Sequence, residues 1–106
     1  MDPEIRDIPA LHRYELEVDG VTAYVVYRRR PGVITFVHTE VPKTLGGKGI
    51  GSRLARHVLD AARADGLKVL PLCPFIAAWM KKHPEYDDLR LPQEDAGAAA
   101  EGEVSR

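Results

Sequence analysis

The chain has 106 residues, 44% of them hydrophobic and 29% charged, with a formal net charge of −1. That is the size and balance of one globular domain and leaves no room for a second. It excludes a disordered chain, a multi-span membrane protein, and binding of nucleic acid through bulk positive charge. The charge is unevenly placed. Residues 1–7 and 93–106 are acidic, and residues 8–92 carry a net +4, which suits a polyanionic ligand. Cys73 is the single cysteine, so no intrachain disulfide can form, and the acidic N-terminus does not read as a signal peptide. A cytoplasmic protein is expected. No apolar run is long enough for a membrane span, and no metal site is expected.

Residues 1–9, with two prolines and alternating charges, read as a loose arm. Arg13–Val18 alternates, with Tyr14, Leu16 and Val18 on one side, as in a half-buried strand. Asp19-Gly20 is a two-residue hairpin signal. Val21–Arg30 is β-branched and aromatic, a second strand ending in Arg28, Arg29 and Arg30. Those three read as charges that keep a sheet edge from aggregating. Pro31-Gly32 turns the chain into a third strand, Val33–Val41, which strict alternation gives Ile34, Phe36, His38 and Glu40 on one face. Pro42 ends it.

The period then changes. Ile50, Leu54, Val58 and Ala61 recur at helical spacing over 50–65, and Gly66 stands where a C-terminal cap belongs. Leu67–Cys73 reads as a short buried strand. Pro74 opens a second helix whose apolar face is Phe75, Ile76, Trp79 and Met80, and Pro84 ends it. The order β-β-β-α-β-α predicts an α/β (α+β) mixed sheet with the last strand parallel to the third. The domain is expected over 10–92. The tail 93–106, rich in Ala, Gly and Glu, reads as disordered.

Between the third strand and the first helix lie Gly46, Gly47, Gly49 and Gly51. A glycine-rich loop entering a helix presents a row of backbone N–H groups at the positive end of a helix dipole, a site for phosphate. Neither common phosphate signature fits. Lys48 is followed by Gly49 where the Walker loop needs Ser or Thr, and Ser52 stands where the dinucleotide fingerprint needs its third glycine.

Gly47-Lys48-Gly49-Ile50-Gly51, after a strand and before a helix, resembles the pyrophosphate loop of the GNAT superfamily of N-acetyltransferases, commonly Gln/Arg-x-x-Gly-x-Gly/Ala. With His38-Thr39-Glu40-Val41-Pro42, Pro71-Leu72-Cys73-Pro74-Phe75 and His83-Pro84-Glu85-Tyr86 in order, residues 14–90 look like its small, single-cysteine branch. The resemblance implies a minimal GNAT-like fold that binds acetyl-CoA or coenzyme A between splayed third and fourth strands. Backbone groups of Gly47, Lys48, Gly49, Ile50, Gly51 and Ser52 would hold the pyrophosphate. Those of Thr39, Glu40 and Val41 would meet the pantetheine and acetyl carbonyl. Gly46 replaces the leading Gln/Arg, and Trp79 stands where a proton-donating tyrosine is common.

Acetyl transfer requires a base for the amine, and Glu40 and His38 are the candidates. Cys73, at a helix start beside the expected thioester, is a candidate acetyl carrier and cofactor contact. The acceptor would be an amine, such as a protein lysine or N-terminus. Two other readings are a catalytically weak acetyl-CoA-binding module and a small nucleic-acid-binding domain using the +4 core. The latter lacks the paired exposed aromatics that single strands stack on.

Overall fold

The computed structural model describes residues 5–91, and the tail expected at 93–106 lies outside them. Its first strand is one that the sequence pattern does not announce. β1 (Ile5–Ile8) pairs antiparallel with β2 (Arg13–Val18), Ile5 opposite Leu16 and Ile8 opposite Arg13. The loose-arm reading is therefore corrected for residues 5–8, and the folded unit is under way before residue 10. Two tertiary contacts hold this strand. Ile5 packs on the core, and the Tyr27 hydroxyl donates to Asp7 Oδ1 at 2.6 Å.

The rest follows the local signals closely. Asp19 and Gly20 take φ of 54° and 79°, the two positive values that a two-residue hairpin turn with right-handed twist requires. They join β2 to β3 (Val21–Arg30), which pairs with β4 (Val33–Glu40). Helix α1 (Ile50–Ala64) ends at Gly66, where the Leu67 N–H bonds back to the Ala62 carbonyl at 2.9 Å. β5 (Lys68–Pro71) then lies parallel to β4, and α2 (Pro74–Lys81) and a 3-10 turn over Pro84–Leu89 complete the fold. The sheet order is β1-β2-β3-β4-β5. No described helix is long and apolar enough to cross a membrane.

The register divides the sheet into two unlike faces. Leu16, Ala23, Val25, Tyr27, Ile34, Phe36 and Val69 share one face and are buried with Leu54, Val58 and Leu59 of α1 and Ile76 and Met80 of α2. The other face carries Glu15, Tyr24, Val26, Arg28, Val33 and Leu70, all exposed or half-buried, and Thr35 as its one buried residue among those described. No described helix packs there.

β4 changes phase midway. Val26 stands opposite His38 but Tyr27 opposite Phe36, so Val37 has no partner on β3. This β-bulge corrects the expected alternation. One extra residue reverses the facing of all that follows. Ile34 and Phe36 point into the core, whereas His38 and Glu40 join Val26 and Tyr24 on the bare face. Thr39, opposite Val25, turns to the core side.

Three tyrosines are held neutral beyond their ordinary range. Burial, then the nearby Asp7 carboxylate, raises the pKa of Tyr14 and strongly raises that of Tyr27, to which Asp7 is also hydrogen-bonded. Burial and the bond to Asp60 raise that of Tyr86. The folded form keeps a proton that the unfolded chain loses near pH ~10. Their contribution is complete below that pH and disappears as pH rises through the folded values. Denaturation midpoints are expected to fall above about pH 10, and less steeply in Tyr27→Phe. A profile that stays flat to about pH 12 would contradict this.

Candidate active site

Two segments diverge where β4 bends. β4 and β5 pair from Val33/Lys68 to Phe36/Pro71, and the last bond between them runs from the Cys73 N–H to the Phe36 carbonyl at 2.8 Å. Beyond it β4 keeps β3 on one side but has no strand on the other among the described residues. Residues 37–40 thus line one arm of a fork, the Cys73–Pro74 junction begins the other, and Phe36 sits in the crotch. The Thr39 hydroxyl and the Cys73 thiol lie 3.2 Å apart across the opening. Cys73 is only 2% exposed, a small group packed into the floor of the fork.

The glycine loop reaches the same opening. A 3-10 turn over Lys43–Leu45 leads to Gly47 and Gly49, with φ of 80° and 70°. Gly49 is the N-cap of α1 and has no side chain to cap it. The first N–H groups of the helix, those of Ile50, Gly51 and Ser52, therefore point outward without an intrahelical acceptor. Side-chain space is denied as well as unused. A Cβ on Gly51 would lie 2.7 Å from Phe75 Cζ, so the α2 aromatic closes over the first turn of α1. Arg53 and Arg56 add positive charge on the next turn, lining a cavity of about 340 Å³ with Ser52, His57 and Asp60. Among the described residues Lys48 is held only by a 3.6 Å contact with exposed Asp19, an interaction weak enough to yield to a phosphate. This arrangement suits a pyrophosphate: free N–H donors, a helix dipole and nearby cations converge.

His38 and Glu40 form a pair on the bare face, His38 Nε2 to Glu40 Oε1 being 3.2 Å, each about half exposed. The Tyr24 ring, 6.3 Å from that of His38, flanks it. The other aromatic candidates are committed elsewhere. Trp79 is buried, donates from Nε1 to Ser52 Oγ at 3.2 Å and stacks on His83 at 3.6 Å. The Tyr86 hydroxyl donates to Asp60 Oδ1 at 2.7 Å and accepts from Arg56 at 3.2 Å, tying the last turn to α1. Sequence reasoning missed this α1 network, Arg56 and Asp60 included. The signal available was a stripe of polar residues on a helix, which reads equally as a solvated face.

The model of the GCN5-related N-acetyltransferase family matches residues 13–89. The chain belongs to the GCN5-related N-acetyltransferase family. Acetyl transfer to an amine is the chemistry of that family, and acetyl-CoA is its usual donor. The fold agrees. The NMR solution structure of a GCN5-like protein from Staphylococcus aureus superposes with a TM-score of 0.68 at 29% identity, covering 85% of this chain and 89% of that one. Protein NATD1 from Gallus gallus is 35% identical over 52 residues, 49% of this chain and 47% of that protein; NATD1 of Mus musculus matches with the same figures, and NATD1 of Homo sapiens matches at the same identity over 46% of its length. The chain thus spans about half the length of these curated relatives.

In a chain of this family the loop glycines carry a direct prediction. Gly49→Val forces a β-branched residue to φ near 70°, which costs about 1–2 kcal/mol. The melting temperature is expected to fall by about 5–15 °C, and acetyl-CoA affinity by about tenfold. Scanning fluorimetry and titration calorimetry read both. Unchanged affinity would place the phosphates away from this loop.

Proposed function

We propose that this protein binds acetyl-CoA in the fork between β4 and β5 and transfers its acetyl group to an exposed peptide or protein amine. The observation that carries this is the uncapped N-terminus of α1 opening beside the unpaired arm of β4. The helix offers N–H donors to a diphosphate, and the strand edge offers peptide groups to an amide-rich arm.

When bound, the donor supplies an activated thioester carbonyl. The chain's own part is to position it and to take a proton. Lys48, Arg53 and the N–H groups from Gly49 to Ser52 hold the phosphates. Peptide groups of Thr39, Glu40 and Val41 orient the pantetheine and meet the charge that develops on the carbonyl oxygen. His38 is the base, and Glu40 fixes its ring and stabilises the imidazolium. The amine nitrogen bonds to the carbonyl carbon as its proton passes to His38. The C–S bond breaks, and its electron pair leaves with sulfur. A thiol has a pKa of only about 8.5, so the thiolate leaves without a phenol to protonate it. That suits a site whose Trp79 N–H and Tyr86 hydroxyl are already engaged.

The place of Cys73 on the fork floor favours a second reading, in which its thiolate first takes the acetyl group and then passes it to the amine. Cys73→Ala separates the two. Direct transfer expects kcat within about twofold of wild type, whereas the relay expects a loss of about 10²-fold or more.

The binding test is thermal. Acetyl-CoA at ~100 times its Kd is expected to stabilise the fold by about 2.7 kcal/mol, a rise of roughly 10–20 °C. Coenzyme A should act similarly, and ATP and NAD should not. No shift with acetyl-CoA overturns the proposal. A shift without release of free coenzyme A, with lysine-containing peptides present, would leave a binding module.

A further inference from the structure

The three consecutive arginines do not protect an edge, because β3 is the middle strand of five. Their register separates their roles. Arg29 points to the core side and pairs with Asp65 at the end of α1 at 3.8 Å. Arg28, opposite Thr35, and Arg30 share the bare face with His38 and Glu40. Both are exposed, and neither has a carboxylate within ion-pair distance among the described residues. They line a cavity of about 520 Å³ with Arg29, Thr35, Val37 and Leu72, Arg29 being the one of the three arginines already paired with a carboxylate. Thr35 is buried at its base, and Val37 and Leu72 are unusually open for their size, at 37% and 57% exposed.

From this juxtaposition we propose that Arg28 and Arg30 form an acceptor subsite for carboxylate side chains, selecting an amine presented in an extended acidic peptide. The inference rests on the acetyl-transfer reading above. Three observations converge. The cavity shares a sheet face with the His38–Glu40 pair. Arg28 lies two residues along β3 from Val26, which faces His38, a rise of about 7 Å. In an extended peptide, side chains two residues apart repeat at that same distance on one side. A lysine amine at His38 therefore places the side chain of a neighbour two positions away over Arg28, the nearer of the two arginines, with Val37 and Leu72 receiving aliphatic stems beside it. The guanidinium fork is built for a carboxylate. A small metabolite is disfavoured because such ligands bury most of their surface in a concave site, and no described helix roofs this face.

The test uses the full chain and three peptides with one central lysine, flanked at both second-neighbour positions by Glu, Gln or Lys. Acetylation is followed by coenzyme A release, and peptide binding is followed separately by fluorescence anisotropy. Wild type is expected to show a KM about tenfold lower for the Glu peptide than for the Gln peptide, with kcat within about twofold and the advantage shrinking as salt rises. In Arg28→Ala/Arg30→Ala the advantage disappears while the thermal shift with acetyl-CoA is retained. In Arg28→Glu/Arg30→Glu the Lys peptide becomes the best. Equal KM and equal binding for the three peptides, or a preference that survives both double variants, overturns the subsite. If the Glu peptide binds best but nothing is acetylated, the subsite stands and acetyl transfer falls.

Discussion

Replacing His38 with Ala, or Glu40 with Gln, is expected to lower kcat for acetyl transfer by about 10²–10⁴-fold, the usual contribution of a positioned general base. KM for acetyl-CoA should stay within about threefold, because its phosphates are held some distance away, at α1. The two side chains are half exposed and bonded to each other, so neither substitution leaves a buried group unsatisfied and melting temperatures should barely move. They act as one unit, so the double variant should be little worse than the more damaging single one. Steady-state kinetics by coenzyme A release give all three numbers. Additive losses would mean that the two groups act separately. Wild-type rates in both single variants would place the base elsewhere.

Phe36→Ala is expected to be the most damaging core change. Phe36 is the largest of the fully buried side chains and sits where the fork divides. Truncating a buried Phe costs about 3–5 kcal/mol, against a total of about 5–15 kcal/mol for such a domain. The melting temperature should fall by about 15–30 °C. The urea midpoint should move with little change of slope. Phe75→Ala is the contrast. That ring is 40% exposed and covers Gly51 at its edge, so less than about 1 kcal/mol is expected. If Phe75→Ala proves as costly as Phe36→Ala, the α2 aromatic is part of the core after all.

Much of this fold was legible in the sequence, for identifiable reasons. The strands over 13–18 and 21–30 and the turn at Asp19-Gly20 appear at the predicted positions, because alternation and turn chemistry there agree. The helix stripe from Ile50 and the cap at Gly66 are equally local signals. The glycine loop was visible because positive φ requires glycine at Gly47 and Gly49. What escaped was non-local. β1 has four residues, two of them charged, and is held by Tyr27 twenty positions away. The bulge leaves no compositional mark, since Val37 is as ordinary in a strand as its neighbours. The pairing of Thr39 with Cys73 and that of Arg56 with Tyr86 each join residues 30 or more apart.

The unpaired Val37 works as a phase shift in a period-two signal. Upstream of it, even-numbered positions of β4 belong to the core, and downstream they belong to the bare face. Deleting that one residue would close the bulge and leave His38, Thr39 and Glu40 opposite Val26, Val25 and Tyr24, facing as they do now. Pairing Val37 with Val26 in an unbroken ladder would instead drive His38 and Glu40 inward and turn Thr39 outward, without altering any of the three side chains. In this strand the pairing partner decides which way a side chain faces as surely as the sequence decides what that side chain is. A strict every-other-residue count carried through Val37 exchanges the inward residues for the outward ones, and a gap of one position there puts the count right.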